Sequence, residues 1–202
     1  DTDGISFVAG DVVTISDTQA AIEGADFATL ASVGVDIVDS SNDVLNLSIT
    51  QATAGIDFTA ADTVTMSGSG DISSDTLGVN IDNIEVTGAN TLIMGASQLD
   101  NQAYTKVGTG DLRFNAGTAG NNTYTSILRS AGTVTMVVAS TLALAVADDL
   151  GGISNLELSA NLEVDTAHLS GKTITVQRGI PEGQAQYTDD TIREVMEKKN
   201  DD

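Results

Sequence analysis

The sequence predicts an all-β protein, and within that class a parallel β-solenoid of the β-helix kind built from degenerate repeats. Three observations favour this fold. Short runs of Val, Ile, Leu and Thr alternate with polar residues and recur about 8 to 12 residues apart. The chain holds four Phe, three Tyr and no Trp, which suits the aliphatic ladders of a solenoid. Short segments also echo one another. A β-sandwich is the alternative, although sandwiches usually have large aromatic residues at their centre.

Eight segments carry the strand pattern most clearly. Their β-branched residues favour the pleated backbone, and alternation at every second position turns one face inward. Gly, Asn, Asp and Ser stand between them and supply turns. In chain order the predicted strands are 11–16, 44–49, 63–67, 84–87, 111–115, 133–137, 156–158 and 172–176.

Short helical segments are expected among the strands. Asp26 can cap a helix over 27–33, and Gly34 is suited to end it. A looser helical turn is expected after Asp17 or after Thr50. These segments would pack at corners of the fold and would not form a domain of their own.

Internal similarity supports a repeat-built fold. The echoing segments are 18–20 with 50–52, 24–27 with 55–58, 67–71 with 107–111, and 83–87 with 155–159, at offsets of 32, 31, 40 and 72 residues. Coincidence in a chain rich in Ala, Thr, Gly and Asp is the competing explanation.

The composition changes near the C-terminus. We expect a repeat-built solenoid over 1–179 and, over 180–202, a linker followed by a short amphipathic α-helix. Ile192, Val195 and Met196 fall on one stripe of that helix and form the predicted interface. Three interpretations stay open: a cap on the open end of the solenoid, a docking helix for a neighbouring subunit, or a segment foreign to the rest.

The charge excludes several partners. The chain has 29 acidic and 8 basic residues, a net charge of −21, and its first basic residue is Lys106. Such a chain is expected to bind no nucleic acid and no anionic membrane surface, and no apolar run is long enough for membrane insertion. Without cysteine it has neither disulfides nor thiolate metal ligands. Because it begins with Asp1, we expect a processed form or an excised segment.

Calcium is the one cofactor that the composition favours, because hard cations take carboxylate and backbone oxygens from turns. The candidate ligands are Asp71 with Asp75, and Asp36 with Asp39 and Asp43. None of them lies in an EF-hand loop. The competing interpretation is that they are solvated turn aspartates, so calcium and no cofactor at all both stay open.

Catalytic residues are not expected. His168 is the only histidine, and we interpret it as an exposed residue of a turn. No nucleophile elbow and no phosphate-binding loop occur. Carboxylate pairs are abundant, but basic neighbours and aromatic platforms for sugars are scarce. The prediction is therefore that the protein is not an enzyme.

One resemblance adds to these expectations. It rests on the segments 10–18, 30–39, 47–52, 61–65, 84–88, 92–94 and 97–99. Together they resemble repeats of very large bacterial secreted surface proteins and adhesins, which are often exported by type I secretion and can carry calcium-binding RTX repeats elsewhere. The resemblance implies an extracellular, structural or adhesive role and transfers no catalytic residue. The segment after Pro181 departs from it.

The expected function is that of a non-enzymatic structural or adhesive protein at the cell surface. It would be a subunit or segment of a surface layer (S-layer), filament or adhesin, stabilised by calcium and assembling with copies of itself or neighbouring surface modules. The first alternative is a carbohydrate-binding or carbohydrate-cleaving β-helix, such as a phage tail fibre, with glycans as partners. The second is a cytosolic protein of a salt-loving organism.

Overall fold

A computed structural model describes residues 10–99, 103–116, 127–140, 142–143, 150–160, 162–163 and 166–176. Over these residues the protein is mostly β, with a few short helices. The strands are β1 Thr14–Asp17, β2 Ile37–Ser40, β3 Val44–Ser48, β4 Asp57–Phe58, β5 Thr63–Ser67, β6 Gly70–Asp71, β7 Asn83–Glu85, β8 Thr91–Gly95, β9 Thr105–Val107, β10 Asp111–Asn115, β11 Leu128–Arg129, β12 Thr133–Val138, β13 Leu142–Ala143, β14 Asn155–Leu158, β15 Leu162–Glu163 and β16 Thr173–Val176.

The strands form four sheets, and every strand pair among the described residues is parallel. Sheet I has the order β1-β2-β4, sheet II β3-β5-β7-β9-β11, sheet III β6-β8-β10-β12-β14-β16 and sheet IV β13-β15. A β-sandwich is built from antiparallel strands, so the pairing disfavours that alternative. All eight predicted strands are present, within three residues at their ends.

From β5 to β12 the chain alternates between sheets II and III. Each return to a sheet adds the next strand beside the previous one. Register partners are separated by 23 residues at Ser16 and Asp39 and by 18 at Ser67 and Glu85. This step is shorter than the offsets of 31 and 32 residues seen among the sequence echoes, which therefore do not mark the step between neighbouring strands.

The core consists of side chains stacked from strand to strand. In sheet III one inward row runs through Met94, Phe114, Met136 and Leu156, all fully buried. The expectation of an aliphatic core is correct for most of its members but omits the buried Met and Phe residues. The rings of Phe27 and Phe58, for example, lie with their centroids 6.5 Å apart. These large side chains contribute to the core alongside the aliphatic residues, as expected for a close-packed interior.

In the part of the chain that the structure describes, four short α-helices interrupt the strands: α1 Gln19–Glu23, α2 Phe27–Ser32, α3 Ile49–Ala52 and α4 Ala96–Leu99. The predicted helix over 27–33 is present as α2, and the Asp26 side chain accepts from the amides of Ala28 and Thr29. The looser turns expected near Asp17 and Thr50 correspond to α1 and α3, whereas α4 was not predicted. A 3₁₀ helix spans Thr166–Leu169.

Successive strands approach very closely at some loops. A Cβ added to Gly78 would lie 2.2 Å from the Ile56 carbonyl oxygen, so only glycine fits there. Gly132, whose φ is 67°, would place a Cβ 2.4 Å from the Gly110 carbonyl oxygen. Glycine at these positions lets one segment of chain lie directly on the previous one.

Two predictions concern chain that the structure does not describe. The linker and amphipathic helix over 180–202, with Ile192, Val195 and Met196, lie outside the described residues, so their proposed interface stays a prediction. Within the described part, none of the helices has the length and apolar character required to cross a bilayer.

Candidate functional site

The predicted calcium ligands Asp36, just before β2, and Asp39, within β2, accept hydrogen bonds from residues in or next to the neighbouring strands β1 and β4. Asp36 Oδ2 accepts from the Val13 amide at 2.8 Å. Asp39 accepts from the Ser16 hydroxyl through Oδ2 at 2.8 Å and from the Thr59 hydroxyl through Oδ1 at 3.0 Å. Both carboxylates therefore connect segments distant in sequence.

Of the other three candidates, Asp43 and Asp75 lie at bends and Asp71 ends the short strand β6. Asp43 adopts the left-handed region, with φ of 57°, and its carbonyl oxygen accepts from the Thr63 amide at 2.8 Å. Asp71 Oδ1 accepts from the amide and the hydroxyl of Ser73 at 3.0 and 2.7 Å. These bonds from Ser73 lower the pKa of Asp71. Asp75 contributes its carbonyl oxygen to the side chain of Gln98 at 2.7 Å.

The five candidates do not converge on one point. Over the described residues, no three His, Asp or Glu side chains are arranged so that they could share a metal ion. Calcium binding at these aspartates stays a prediction, and what the structure shows for them is a role in connecting strands and closing turns.

A recurring two-way tie explains many of the acidic and hydroxyl residues. Asp36 donates its amide to the Val13 carbonyl at 3.0 Å while its carboxylate accepts the Val13 amide. Asp82 and Val64 repeat this arrangement, with both bonds present at 3.0 and 2.8 Å. In a parallel ladder, the amide and the carbonyl of one residue bond to two different residues of the neighbouring strand. Here the carboxylate of Asp36 or Asp82 accepts the amide of the same residue whose carbonyl already accepts the aspartate's own amide.

The same tie occurs a third time with a hydroxyl in place of the carboxylate. Ser154 donates its amide to the Val134 carbonyl at 2.9 Å, and the Val134 amide donates to Ser154 Oγ at 3.0 Å. Asp36, Asp82 and Ser154 each stand immediately before a strand, namely β2, β7 and β14. An Asp or Ser immediately before a strand is therefore a sequence feature that can indicate this two-way tie.

Asp62 is the most buried carboxylate among the described residues, with 4% of its surface exposed. Its oxygens accept from the Ser40 amide at 3.2 and 3.3 Å and from the Thr59 hydroxyl at 2.8 Å. A buried carboxylate needs such donors, because burial without them is costly. Asp62 therefore holds β2 against the loop that precedes β5.

Glu23, at the end of α1, plays a comparable role on the surface. Its Oε1 accepts from the Asn46 amide at 2.6 Å and from the Gln19 side chain at 2.7 Å. Although desolvation opposes the change, these bonds from Gln19 and Asn46 lower the pKa of Glu23. The carboxylate thus attaches α1 to β3.

The outer face of sheet III carries an ion pair that spans a whole strand. Arg113 on β10 donates from both terminal nitrogens to the carboxylate of Glu157 on β14, with 2.6 Å between Nη1 and Oε1. The hydrogen bonds to Glu157 raise the pKa of Arg113. β12 lies between the two strands, and its residue Thr135 is 2% exposed and donates to Asp111. The sequence alone does not reveal this pair, because Glu157 lies 44 residues from Arg113 along the chain.

Lys106 is fully buried although its side chain is charged. It occupies an inward position of sheet II, in register with Ile84 on one side and Arg129 on the other. Its Nζ donates to the carbonyl oxygens of Val107, Gly108 and Ala131 at 3.0, 2.8 and 3.2 Å. Burial lowers the pKa of Lys106, and the nearby negative charge of Asp111 opposes that shift. The ammonium therefore connects the end of β9, at Val107 and Gly108, to the turn between β11 and β12, at Ala131.

A half-open cavity of about 260 Å³ lies beside the loop that leads into β7. It is lined by the 75–80 loop, by Ser97 and Gln98 of α4, and by Tyr104. Tyr104 is 5% exposed, and burial raises the pKa of its hydroxyl to about 12. Sequence analysis missed this cavity, because its lining comes from three separate parts of the chain.

His168 lies in the 3₁₀ helix and is partly buried. Its Nδ1 is buried without a hydrogen-bond partner in the described part of the structure. The expectation of an exposed turn histidine is therefore only partly correct, since the residue is in a turn-like helix but not fully exposed.

No family model, no curated protein and no solved structure matches the chain. Over the described residues, the structure defines a mostly β protein of parallel sheets, in which several charged side chains connect one strand to another.

Proposed function

We propose that the chain folds as a parallel β-solenoid and serves as a non-enzymatic structural or adhesive element of a cell surface. The observation that carries the proposal is the alternation of the chain between sheets II and III. Each passage adds one parallel strand to each sheet, at a step of about 20 residues that is consistent with repeating coils. A stack of this kind extends in one dimension, as is typical of fibres and surface layers.

The use of the polar residues supports a structural role. Asp36, Asp62 and Asp82 accept backbone amides, and Arg113 is paired with Glu157. Catalytic groups need to reach a substrate, whereas these groups are occupied by neighbouring strands. The proposed function therefore requires no reaction centre.

The charge supports a location outside the cell. A net charge of −21 makes copies of the protein repel one another unless cations screen or bridge them. Extracellular calcium at millimolar concentration would do both without a dedicated cage. We therefore propose assembly with copies of itself or with neighbouring surface modules, promoted by calcium and consistent with the resemblance to surface-protein repeats.

The solenoid can be tested with spin labels, because the chain contains no cysteine. Asp71, Ile93 and Thr173 share one register row of sheet III, and Thr173 lies five strands from Asp71 and four from Ile93. At about 4.8 Å per strand, the backbone separations are roughly 24 and 19 Å. Double electron–electron resonance on the two cysteine pairs should show this difference, and equal or much longer distances would contradict a continuous stack.

Assembly can be tested by sedimentation over a concentration series, in calcium and in chelator, with a parallel thermal melt. We expect larger species and a higher melting temperature in calcium. A protein that stays monomeric at high concentration in both buffers would refute the assembly proposal. Folding that depends on molar sodium chloride but ignores millimolar calcium would instead favour a cytosolic protein of a salt-loving organism.

Surface location can be tested in the cells that produce the protein. Antibody labelling of intact cells and brief external proteolysis should both reach it, while a cytosolic marker stays protected. Detection only after lysis would contradict the proposed location.

The carbohydrate-binding alternative is favoured by one observation, the cavity beside Tyr104.

A further inference from the structure

From the cavity beside Tyr104 we infer a binding site for one neutral sugar ring, such as a terminal hexose of a surface glycan. The inference deepens the adhesive part of the proposed function and rests on it, but it does not require self-assembly. The site would give the protein a ligand in addition to its structural role.

The walls of the cavity are held in place before any ligand arrives. The Val79 amide donates to Asp57 Oδ1 at 3.0 Å, and the Asn80 side chain donates to the Phe58 carbonyl at 2.7 Å. Gly78 is in contact with Ile56 and accepts no larger side chain. The 75–80 loop is therefore fixed against β4, and a preorganised wall reduces the entropic cost of binding.

The opposite wall is fixed by Gln98. Its Nε2 donates to the carbonyl oxygens of Ile72 and Asp75 at 2.9 and 2.7 Å, and its Oε1 accepts from the Gly95 amide at 2.6 Å. With all three bonds made, Gln98 supports the site and leaves recognition to its neighbours.

Four polar side chains of the lining remain available for a ligand. Asp75, Thr76, Ser97 and Tyr104 make no side-chain hydrogen bond to the described residues, yet all line the cavity. Because burial raises the pKa of Tyr104 to about 12, its hydroxyl stays protonated at physiological pH. A carboxylate acceptor combined with hydroxyl groups suits the adjacent hydroxyls of a sugar.

Size and charge narrow the ligand class. A volume of about 260 Å³ is below the roughly 300–1,000 Å³ of sites for drug-sized ligands, and is appropriate for a single ring. Among the described residues, the lining contains Asp75 and no Lys or Arg, which disfavours anionic sugars. Leu77 and Val79 add an apolar edge, and Val79 is 54% exposed, so the C–H face of a ring has an apolar surface to contact.

The experiment uses the whole protein and a panel of methyl glycosides of glucose, galactose and mannose. Ligand-observed NMR and calorimetry measure saturation, and glucuronate and glucosamine serve as charged probes. We expect at least one neutral glycoside to bind, and Tyr104→Phe and Asp75→Asn each to weaken it by about three- to tenfold, as expected for one lost hydrogen bond. Asp43→Asn is the matched control, because Asp43 is outside the lining and Asn tolerates its positive φ.

Ser97→Trp provides a second test that leaves the core unchanged, because Ser97 is exposed at the cavity. It should abolish binding with no change in melting temperature. Absence of saturation by every neutral glycoside, binding that survives the cavity variants, or preference for a charged probe would each overturn the inference. Sedimentation of the same variants separates the two proposals, since assembly should persist when glycoside binding is lost.

Discussion

Arg113 and Glu157 lie on two strands that do not touch, and their side chains meet across the strand between them. The pair is bidentate, and its two side chains are 30% and 24% exposed. Partial exclusion of water and fork-to-fork geometry make such a pair stronger than a typical surface pair. It fastens β10, β12 and β14 into one unit.

Removing either partner of this pair should lower the free energy of unfolding. Arg113→Met and Glu157→Gln are each expected to cost about 1–2 kcal/mol, with a coupling of about 1 kcal/mol that shrinks as salt rises. Urea unfolding of both single variants and the double variant at low and high salt would measure this. Additive single effects at low salt would contradict the interaction.

Lys106→Met should destabilise the protein more strongly. Methionine retains the length of the side chain, but the carbonyl oxygens of Val107, Gly108 and Ala131 lose their shared donor. The expected cost is about 2–4 kcal/mol, because buried acceptors are left without this partner. Chemical unfolding measures it, and Lys172→Met, at a less buried lysine, is the comparison. A stabilised Lys106→Met variant would show that desolvating the ammonium outweighs its hydrogen bonds.

Asp62→Ala should destabilise the contact between β2 and the loop before β5. The Ser40 amide loses its carboxylate acceptor, and the Thr59 hydroxyl is left with Asp39 as its acceptor, so about 1–3 kcal/mol is expected. Hydrogen exchange should increase at the Ser40 amide first. Asp43→Asn is the control and should leave both stability and exchange unchanged. Equal effects of the two variants would show that burial of Asp62 is not what matters.

Asp26 gives a pH dependence with a definite sign. Hydrogen bonds from Thr29, and then from Ala28, lower the pKa of Asp26 below 3.8, so the folded state binds this proton less readily than the unfolded state. The stabilisation from Asp26 is therefore complete above pH 3.8 and is lost as pH falls through the lowered folded-state pKa. The stability difference between the parent protein and Asp26→Asn should shrink over that acidic range. A difference independent of pH would refute the assignment.

Local patterns were sufficient to predict part of the fold. Alternation at every second residue identified strands such as β5 and β12, and Asp26 identified α2. β8 was missed, because Leu92, Ile93 and Met94 form a continuous apolar run without alternation. The number of residues between neighbouring strands of one sheet was also not predicted. The similar segments of the sequence were compared at offsets longer than this separation.

The candidate site was less accessible to sequence reasoning. The calcium candidates were chosen as neighbours in sequence, whereas Asp36 and Asp39 contact segments about 20 residues away. The sequence identified Lys106 only as the first basic residue of the chain. Only the positions of the Val107, Gly108 and Ala131 carbonyls show that a buried ammonium is satisfied there.

The sequence by itself determined that this protein is built mainly of short strands, with a largely aliphatic core and a strongly negative charge. These properties depend on composition and on contacts within a few residues. The tertiary structure decided which strands are neighbours, which side chains Arg113 and Lys106 meet, and that a cavity forms beside Tyr104. Such outcomes depend on register and packing between segments far apart in the chain, where many pairings satisfy the local pattern and close packing selects one.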